Sequence, residues 1–129
     1  MNITHLNPAG LAATGVPYSL GARATGAAVH TSGILPVDDK GNVVAPGDMR
    51  AQTRFVLETV KRILDAGGAT LQDVAMNHIF ITDVGRFAEM NEVYREYFAE
   101  PLPARFCIRA DFVKPGCLVE IASIAYVAG

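Results

Sequence analysis

The chain has 129 residues, of which 50% are hydrophobic and 19% charged, and its formal net charge is −2. This composition suits one folded domain spanning residues 1–129 and is too apolar for a disordered protein. The eleven Lys and Arg residues form no run, which argues against binding to nucleic acid. No stretch reaches the ~18 continuous apolar residues of a membrane span, so we expect no membrane association.

Cysteine and histidine usage bears on the cell compartment and on metals. Cys107 and Cys117 form no CxxC motif, and the amino end lacks the basic start and long apolar core of a signal peptide. These features predict a cytoplasmic protein with free thiols. The three histidines lie far apart in sequence and form no ligand pair, so we expect no metal site.

The first predicted elements are two strands. The segment "GARATGAAVHTSGILP" is rich in small and β-branched residues, with glycines at its breaks. It predicts a hairpin with one strand near Tyr18–Ala24, a turn around Gly26 and a second strand near Ala27–Thr31.

The clearest helix follows in "PGDMRAQTRFVLETVKRILDAGG". Asp48 after Pro46-Gly47 is a good N-cap, and Gly67-Gly68 is a stop signal. Apolar residues recur at helical spacing along the segment and predict one buried stripe. The stripe consists of Met49, Val56, Val60, Ile63 and Leu64.

The second half of the chain predicts one more helix and three more strands. A strand near Val74–Thr82 precedes the helix in "GRFAEMNEVYREYFAE", and strands near Ala104–Ala110 and Cys117–Val127 close the chain. The apolar side of this helix consists of Phe87, Met90, Tyr94, Tyr97 and Phe98. The predicted fold is therefore α+β, in the order β-β-α-β-α-β-β, with two helices packed on one face of a mixed sheet.

The other face of this sheet lacks cover from the chain itself. The last strand is apolar on both sides, with Val119 and Ile121 facing one way and Leu118 and Ile124 the other. Strands of this kind need cover on both faces. We therefore expect an oligomer packed through the helix-free face, the alternative being a monomer whose sheet faces water.

Two charges, Arg105 and Glu120, lie within otherwise apolar strands. If the last two strands pair as a hairpin, the two side chains could come near each other, although alternation alone does not establish this. One interpretation is a structural ion pair, within the chain or across a subunit boundary. The other is a pocket in which the guanidinium fork binds a small carboxylate and the nearby carboxylate holds a water or moves a proton.

Four further residues each allow two interpretations. Cys107 is either a nucleophile or, since no histidine is near it in sequence, a small core residue. Tyr18 offers a binding hydroxyl or an aromatic plug, and Asn91 on the second helix is by default a surface or capping residue. Gly33 permits either a close approach of the backbone to a ligand or a bend.

Taken together, the segments resemble the RidA (YjgF) family of enamine and imine deaminases. The resemblance covers about residues 18–127 and is closest to the RutC branch, the aminoacrylate deaminases. Its most specific part is the combination of "PARFC" and "LVEIASIA". The other segments that carry it are "PYS", "TSGILP", "AQTRFVLETV", "FAEMNEVYREYF", "IFITD" and "VKPGCLVEIASIA".

The family resemblance implies a chorismate-mutase-like α+β subunit, a homotrimer and active sites in the clefts between subunits. It also implies that Arg105 binds the substrate carboxylate and that Glu120 positions a water and assists proton transfer. The remaining implied site residues are Gly33 and Cys107, acting through backbone groups, and Tyr18 and Asn91, lining the pocket.

The implied reaction is hydrolysis of a small aminoacrylate without a cofactor. The substrate is 3-aminoacrylate, giving malonic semialdehyde and ammonia, or 2-aminoacrylate, giving pyruvate and ammonia. The alternative is a trimeric protein of the same family that binds small carboxylates or regulates a partner without catalysis. An endoribonuclease is disfavoured because the chain is not basic and shows no His–His or His–Lys pair for phosphodiester cleavage.

Overall fold

The computed structural model of the chain describes residues 2–11 and 15–128. These two ranges form a mixed α+β fold of two α-helices and six β-strands. Neither α-helix in the described residues has the length and hydropathy that a membrane crossing requires. The elements are β1 (Ile3–Leu6), β2 (Gly21–Ala24), β3 (Ala27–His30), α1 (Met49–Ala66), β4 (Val74–Ile81), α2 (Phe87–Tyr97), β5 (Ala104–Arg109) and β6 (Val119–Val127).

The strands form a four-stranded sheet in the order β3-β6-β4-β5 and a separate two-stranded sheet of β1 and β2. β4 and β5 are parallel, and the other pairs are antiparallel. The predicted hairpin of the strands near Tyr18–Ala24 and Ala27–Thr31 is therefore wrong. β2 takes its partner from β1, which the sequence analysis missed, and β3 pairs with β6 instead.

The chain changes sheets at Gly26. Its φ of 107° suits glycine, and a Cβ there would collide with the backbone carbonyl of Val127. Asn2 secures the crossing, since its Nδ2 donates to the carbonyl oxygens of Thr25 at 2.9 Å and Tyr126 at 2.7 Å. Because this turn directs β3 onto β6, sequence neighbours separate into two sheets.

α1 has the predicted ends, α2 covers Phe87–Tyr97 within the predicted segment, and both helices bury the predicted faces. Asp48 caps α1 by accepting a hydrogen bond from the backbone N–H of Ala51 at 3.0 Å, and Gly67 is its C-cap. In α1 the predicted stripe is buried except for the half-buried Ile63. In α2 Phe87 and Tyr97 are half-buried, and the other predicted residues are buried: Met90, Tyr94 and Phe98.

The helices pack on one face of the four-stranded sheet, as predicted. Along β4, Asn77, Ile79 and Ile81 are buried on this side, whereas His78 and Phe80 point to the other. We call the second side the free face. Phe106 and Ile108 on it are 40% and 51% exposed. Its residues are Ala28, His30, Met76, His78, Phe80, Ala104, Phe106, Ile108, Glu120, Ala122, Ile124 and Tyr126.

Gln52 is a buried polar residue of α1 that holds two loops against the helix. Its Nε2 donates to the carbonyl oxygens of Val44 at 3.1 Å and Gly116 at 3.0 Å. Its Oε1 accepts from the backbone N–H of Leu118 at 2.7 Å. Since Leu118 leads directly into β6, Gln52 fixes the start of the strand that carries Glu120.

Replacing Gln52 with leucine tests this role. The change keeps the side-chain volume but leaves two carbonyls and one N–H without partners. We expect Gln52→Leu to lower the free energy of unfolding by about 2–4 kcal/mol. Urea unfolding followed by circular dichroism, at equal subunit concentration, measures the difference. Gln72→Leu, at an exposed position, is the control, with an expected change within about 0.5 kcal/mol; equal changes in both variants would contradict the assigned role.

Candidate active site

Arg105 is a buried cation held between the sheet and α2. It lies opposite Asn77 in the parallel pairing of β5 with β4, so its side chain points to the helix-covered face. Only 8% of the residue is exposed. Its Nη2 donates to Oδ1 of Asn91 at 2.6 Å. Asn91 is itself buried, which corrects the expectation of a surface or capping residue: α2 turns it inward onto the guanidinium.

Three aromatic rings surround the guanidinium. The Cζ of Arg105 is 4.7 Å from the ring centroid of Tyr94, 5.8 Å from that of Phe87 and 5.9 Å from that of Tyr18. Rings at this range stabilise a cation through their π faces while offering little competition for its N–H groups. The arrangement holds the charge in place without supplying a partner for every N–H group.

The guanidinium of Arg105 has no carboxylate partner within the described chain. The ion pairs of the described residues involve other arginines: Arg50, Arg54 and Arg86. The Nη1 of Arg105 is buried and makes no hydrogen bond. Burial lowers the pKa of Arg105, an effect that Tyr94 and Cys107 partly offset. A buried cation with an unused donor is suited to bind an anion.

Glu120 lies on the opposite face of the sheet from Arg105. In the pairing with β4, Glu120 is opposite Phe80, whereas Arg105 is opposite Asn77. Positions three apart on one strand point to opposite faces. The last two strands do not pair as a hairpin, because β4 lies between β5 and β6. Neither an Arg105–Glu120 ion pair nor a pocket shared by the two forms within one subunit.

Gly33 lies directly against Glu120. A Cβ at Gly33 would overlap the carboxylate of Glu120 in its present position, so the backbone of Gly33 and this carboxylate are in close contact. Backbone hydrogen bonds fix the segment, with Ile34 N–H donating to Ile121 at 2.9 Å and Ile121 N–H donating back at 3.2 Å. The predicted site residues thus fall into two groups on opposite faces.

Tyr18 and Cys107 belong to the group around Arg105. The backbone N–H of Ser19 donates to the carbonyl of Pro103 at 3.1 Å, which holds the half-buried Tyr18 beside the start of β5. Cys107 follows two residues after Arg105 on the same side of β5. It borders an open cavity of about 260 Å³ that Phe87 also lines.

Several residues near Arg105 have surroundings that the sequence pattern did not predict. Phe87 and Tyr94 were expected only as part of a buried helical stripe. Asn77 and Ser123 are fully buried polar residues on β4 and β6 that received no role. The available signal was their position, since each lies on the strand face that is otherwise aliphatic.

The chain matches known proteins over most of its length. A sequence profile of the family described as Endoribonuclease L-PSP matches residues 10–127. A protein of Acinetobacter baylyi named 3-aminoacrylate deaminase RutC is 52% identical over 99 residues, which make up 77% of this chain and 79% of that protein.

Solved structures share the fold. RidA from an Antarctic Psychrobacter bacterium is 34% identical, with a TM-score of 0.72 over 89% of this chain and 92% of that one. A Rid-family protein of unknown function from Yersinia pestis is 23% identical and has a TM-score of 0.89 over 98% and 100% of the two chains, a likeness of fold alone.

The surroundings of Cys107 predict a weakly reactive thiol. Burial raises its pKa, and Arg105 counteracts this only in part, so the thiol is mostly protonated near neutral pH. We expect alkylation of Cys107 by iodoacetamide at about pH 8 to be slower than that of free cysteine, and its rate to keep rising above about pH 9. Mass spectrometry on a Cys117→Ala background measures it. A rate that levels off below about pH 8 would indicate an activated thiolate instead.

Proposed function

We propose that this chain, which belongs to the Endoribonuclease L-PSP family, also called the YjgF/RidA family, is a deaminase that hydrolyses a small aminoacrylate without a cofactor. The observation that carries the proposal is the buried guanidinium of Arg105, which has an unused Nη1 and no carboxylate partner in the described chain. An aminoacrylate supplies the missing negative charge. Its planar carboxylate also matches the fork of N–H donors that Arg105 presents.

The opposite placement of Arg105 and Glu120 supports a site assembled from two subunits. We propose a homotrimer in which Arg105 of one subunit meets Glu120 and Gly33 of the partner subunit. The free face provides an apolar surface for such an assembly, with Phe106 and Ile108 exposed at its edge strand. In a closed ring each subunit would give Arg105 to one site and Glu120 to the next.

The proposed chemistry begins with the bound carboxylate on Arg105. Protonation of the carbon next to the carboxylate of 3-aminoacrylate converts the enamine into an iminium ion. Water held by Glu120 adds to the iminium carbon, and the proton that it loses passes to the nitrogen. The carbinolamine then expels ammonia as its hydroxyl proton passes to Glu120, which replaces the proton that Glu120 gave to the carbon, and malonic semialdehyde remains. Positioning and general acid–base help contribute on the order of 10²–10⁴-fold for each assisted proton transfer.

Glu120 is the proposed proton carrier, and the Cys107 side chain has no chemical step. The raised pKa of the Cys107 thiol disfavours a nucleophilic role. The backbone at Cys107 and at Gly33 remains available to bond the amino group or the water. This division leaves one cation for the substrate anion and one carboxylate for water and protons.

Between the two aminoacrylates, we propose 3-aminoacrylate as the preferred substrate. The 52% identical relative from Acinetobacter baylyi carries that substrate in its name, which supports the choice. In 2-aminoacrylate the attacked carbon bears the carboxylate directly, so the distance from Arg105 to the attacking water would have to be shorter. Comparison of turnover on both enamines tests the preference.

Two rival functions make different predictions for the same sample. A protein that binds small carboxylates without catalysis would bind the substrate but release no ammonia. A ribonuclease would degrade RNA, but the residues described around Arg105 include no histidine or lysine for acid–base cleavage of a phosphodiester. We therefore favour deamination over both.

Arg105→Ala tests the proposed carboxylate site. Loss of a buried charged partner costs ~2–5 kcal/mol, so we expect kcat/KM for 3-aminoacrylate to fall by about 30- to several thousandfold. Ammonia release from enzymatically generated aminoacrylate measures the activity, and circular dichroism checks the fold. Arg62→Ala, on the exposed side of α1, is the control and should retain activity. Wild-type turnover by Arg105→Ala would refute the proposal.

A further inference from the structure

A chain of buried hydrogen bonds ends beside the guanidinium of Arg105. Ser123 Oγ donates to Oδ1 of Asn77 at 2.5 Å, and Nδ2 of Asn77 donates to the hydroxyl of Tyr94 at 2.8 Å. Tyr94 then places its ring 4.7 Å from Cζ of Arg105. Ser123, Asn77 and Tyr94 are each 0% exposed. This series of hydrogen bonds runs from β6 across β4 to α2, and its last residue, Tyr94, lies beside the proposed anion site.

The far end of this series of hydrogen bonds is fixed because the backbone of Ser123 bonds to Thr31 through both its N–H and its carbonyl. The N–H of Ser123 donates to Oγ1 of Thr31 at 2.9 Å, and the N–H of Thr31 donates to the carbonyl of Ser123 at 2.9 Å. Ser123 is therefore anchored to Asn77 of β4 and to Thr31, the residue after β3, and Asn77 is held from both sides. These hydrogen bonds therefore fix the phenol ring of Tyr94 relative to the sheet.

We propose that Ser123, Asn77 and Tyr94 are positioning residues that set the guanidinium of Arg105 for carboxylate binding, an inference that rests on the proposed function of Arg105. α2 contacts the guanidinium through Asn91 and Tyr94, which are three residues apart and share a helix face. The Oδ1 of Asn91 accepts a hydrogen bond from Nη2, and the ring of Tyr94 packs against the guanidinium. The hydrogen bond from Asn77 keeps that ring from rotating away.

These three polar side chains lie within a cluster of buried aliphatic and aromatic residues. Burial of an amide and two hydroxyls carries a desolvation cost that only complete pairing offsets, and the pairing leads from the sheet to the ring beside Arg105. Burial also raises the pKa of Tyr94 to about 12, so the phenol stays neutral and does not compete with a substrate anion for Arg105. The polar chain therefore provides orientation without adding charge.

Binding of propionate and propionamide separates positioning from general stability. Propionate carries the carboxylate that Arg105 would bind, and propionamide is its neutral counterpart. Ligand-observed NMR titration would give the dissociation constants for wild type, Tyr94→Phe and Ser123→Ala. Thr53→Val is the matched control, because Thr53 is fully buried in α1 and loses a single hydroxyl that bonds to the carbonyl of Met49 and not to Ser123, Asn77 or Tyr94.

We expect Tyr94→Phe to weaken propionate binding about tenfold and Ser123→Ala about threefold, with propionamide binding unchanged. In the deaminase assay both variants should raise KM for the aminoacrylate with little change in kcat. Thr53→Val should leave propionate binding unchanged, even if it lowers the unfolding temperature.

Other results would overturn the inference. Wild-type propionate affinity in both variants would show that the hydrogen bonds serve the core alone. Weaker propionate binding in Tyr94→Phe but not in Ser123→Ala would show that Tyr94 acts independently of its hydrogen bonds to Asn77 and, through it, Ser123. If the expected losses occur but wild type releases no ammonia, the positioning role stands and the proposed deamination falls. A wild type that binds no propionate would overturn the anion site and this inference together.

Discussion

The contacts that hold the buried guanidinium of Arg105 are the interaction on which the proposed site depends. A cation removed from water needs partners, and this one has an amide oxygen, three aromatic rings and an unused Nη1. Asn91 and the rings hold it without neutralising it. The positive charge therefore remains available to a small anion, and the proposed reaction begins from that anion's carboxylate.

The strand order imposes the second constraint. Because β4 lies between β5 and β6, the alternation of side chains places Arg105 and Glu120 on opposite faces of the sheet. Gly33 packs against Glu120 on that second side. A site that uses both charges would therefore require a second copy of the chain. The free face, uncovered by either helix, is the surface through which we propose that the copies assemble.

Local features of the sequence predicted much of the fold. The Asp48 cap, the stop at Gly67 and both buried helical stripes were correct because each depends on residues a few positions apart. The predicted hairpin of the second and third strands was wrong, and the pairing considered for the last two strands does not form, since strand pairing depends on distant partners. β2 pairs with β1, and β4 lies between β5 and β6. The periodicity of apolar residues predicts neither of these two pairings.

The candidate site shows the same division between local and distant information. Alternation placed Arg105 and Cys107 on one strand face, and the resemblance to a family selected Tyr18 and Asn91, which the fold brings toward the same guanidinium. The position of Asn91 in the sequence did not predict its burial, because the burial depends on how α2 packs over β5. The Ser123–Asn77–Tyr94 chain spans three elements, so no local pattern could have predicted it.

Complementation between two inactive variants tests most directly whether Arg105 and Glu120 act from different subunits. Arg105→Ala and Glu120→Ala subunits, inactive alone, would be unfolded together at equal amounts and refolded. Random assembly of trimers gives each mixed trimer one site with both side chains intact, so the mixture should recover about a quarter of wild-type activity. No recovered activity in trimers shown to be mixed would contradict the account, because it would mean that both side chains act from the same subunit.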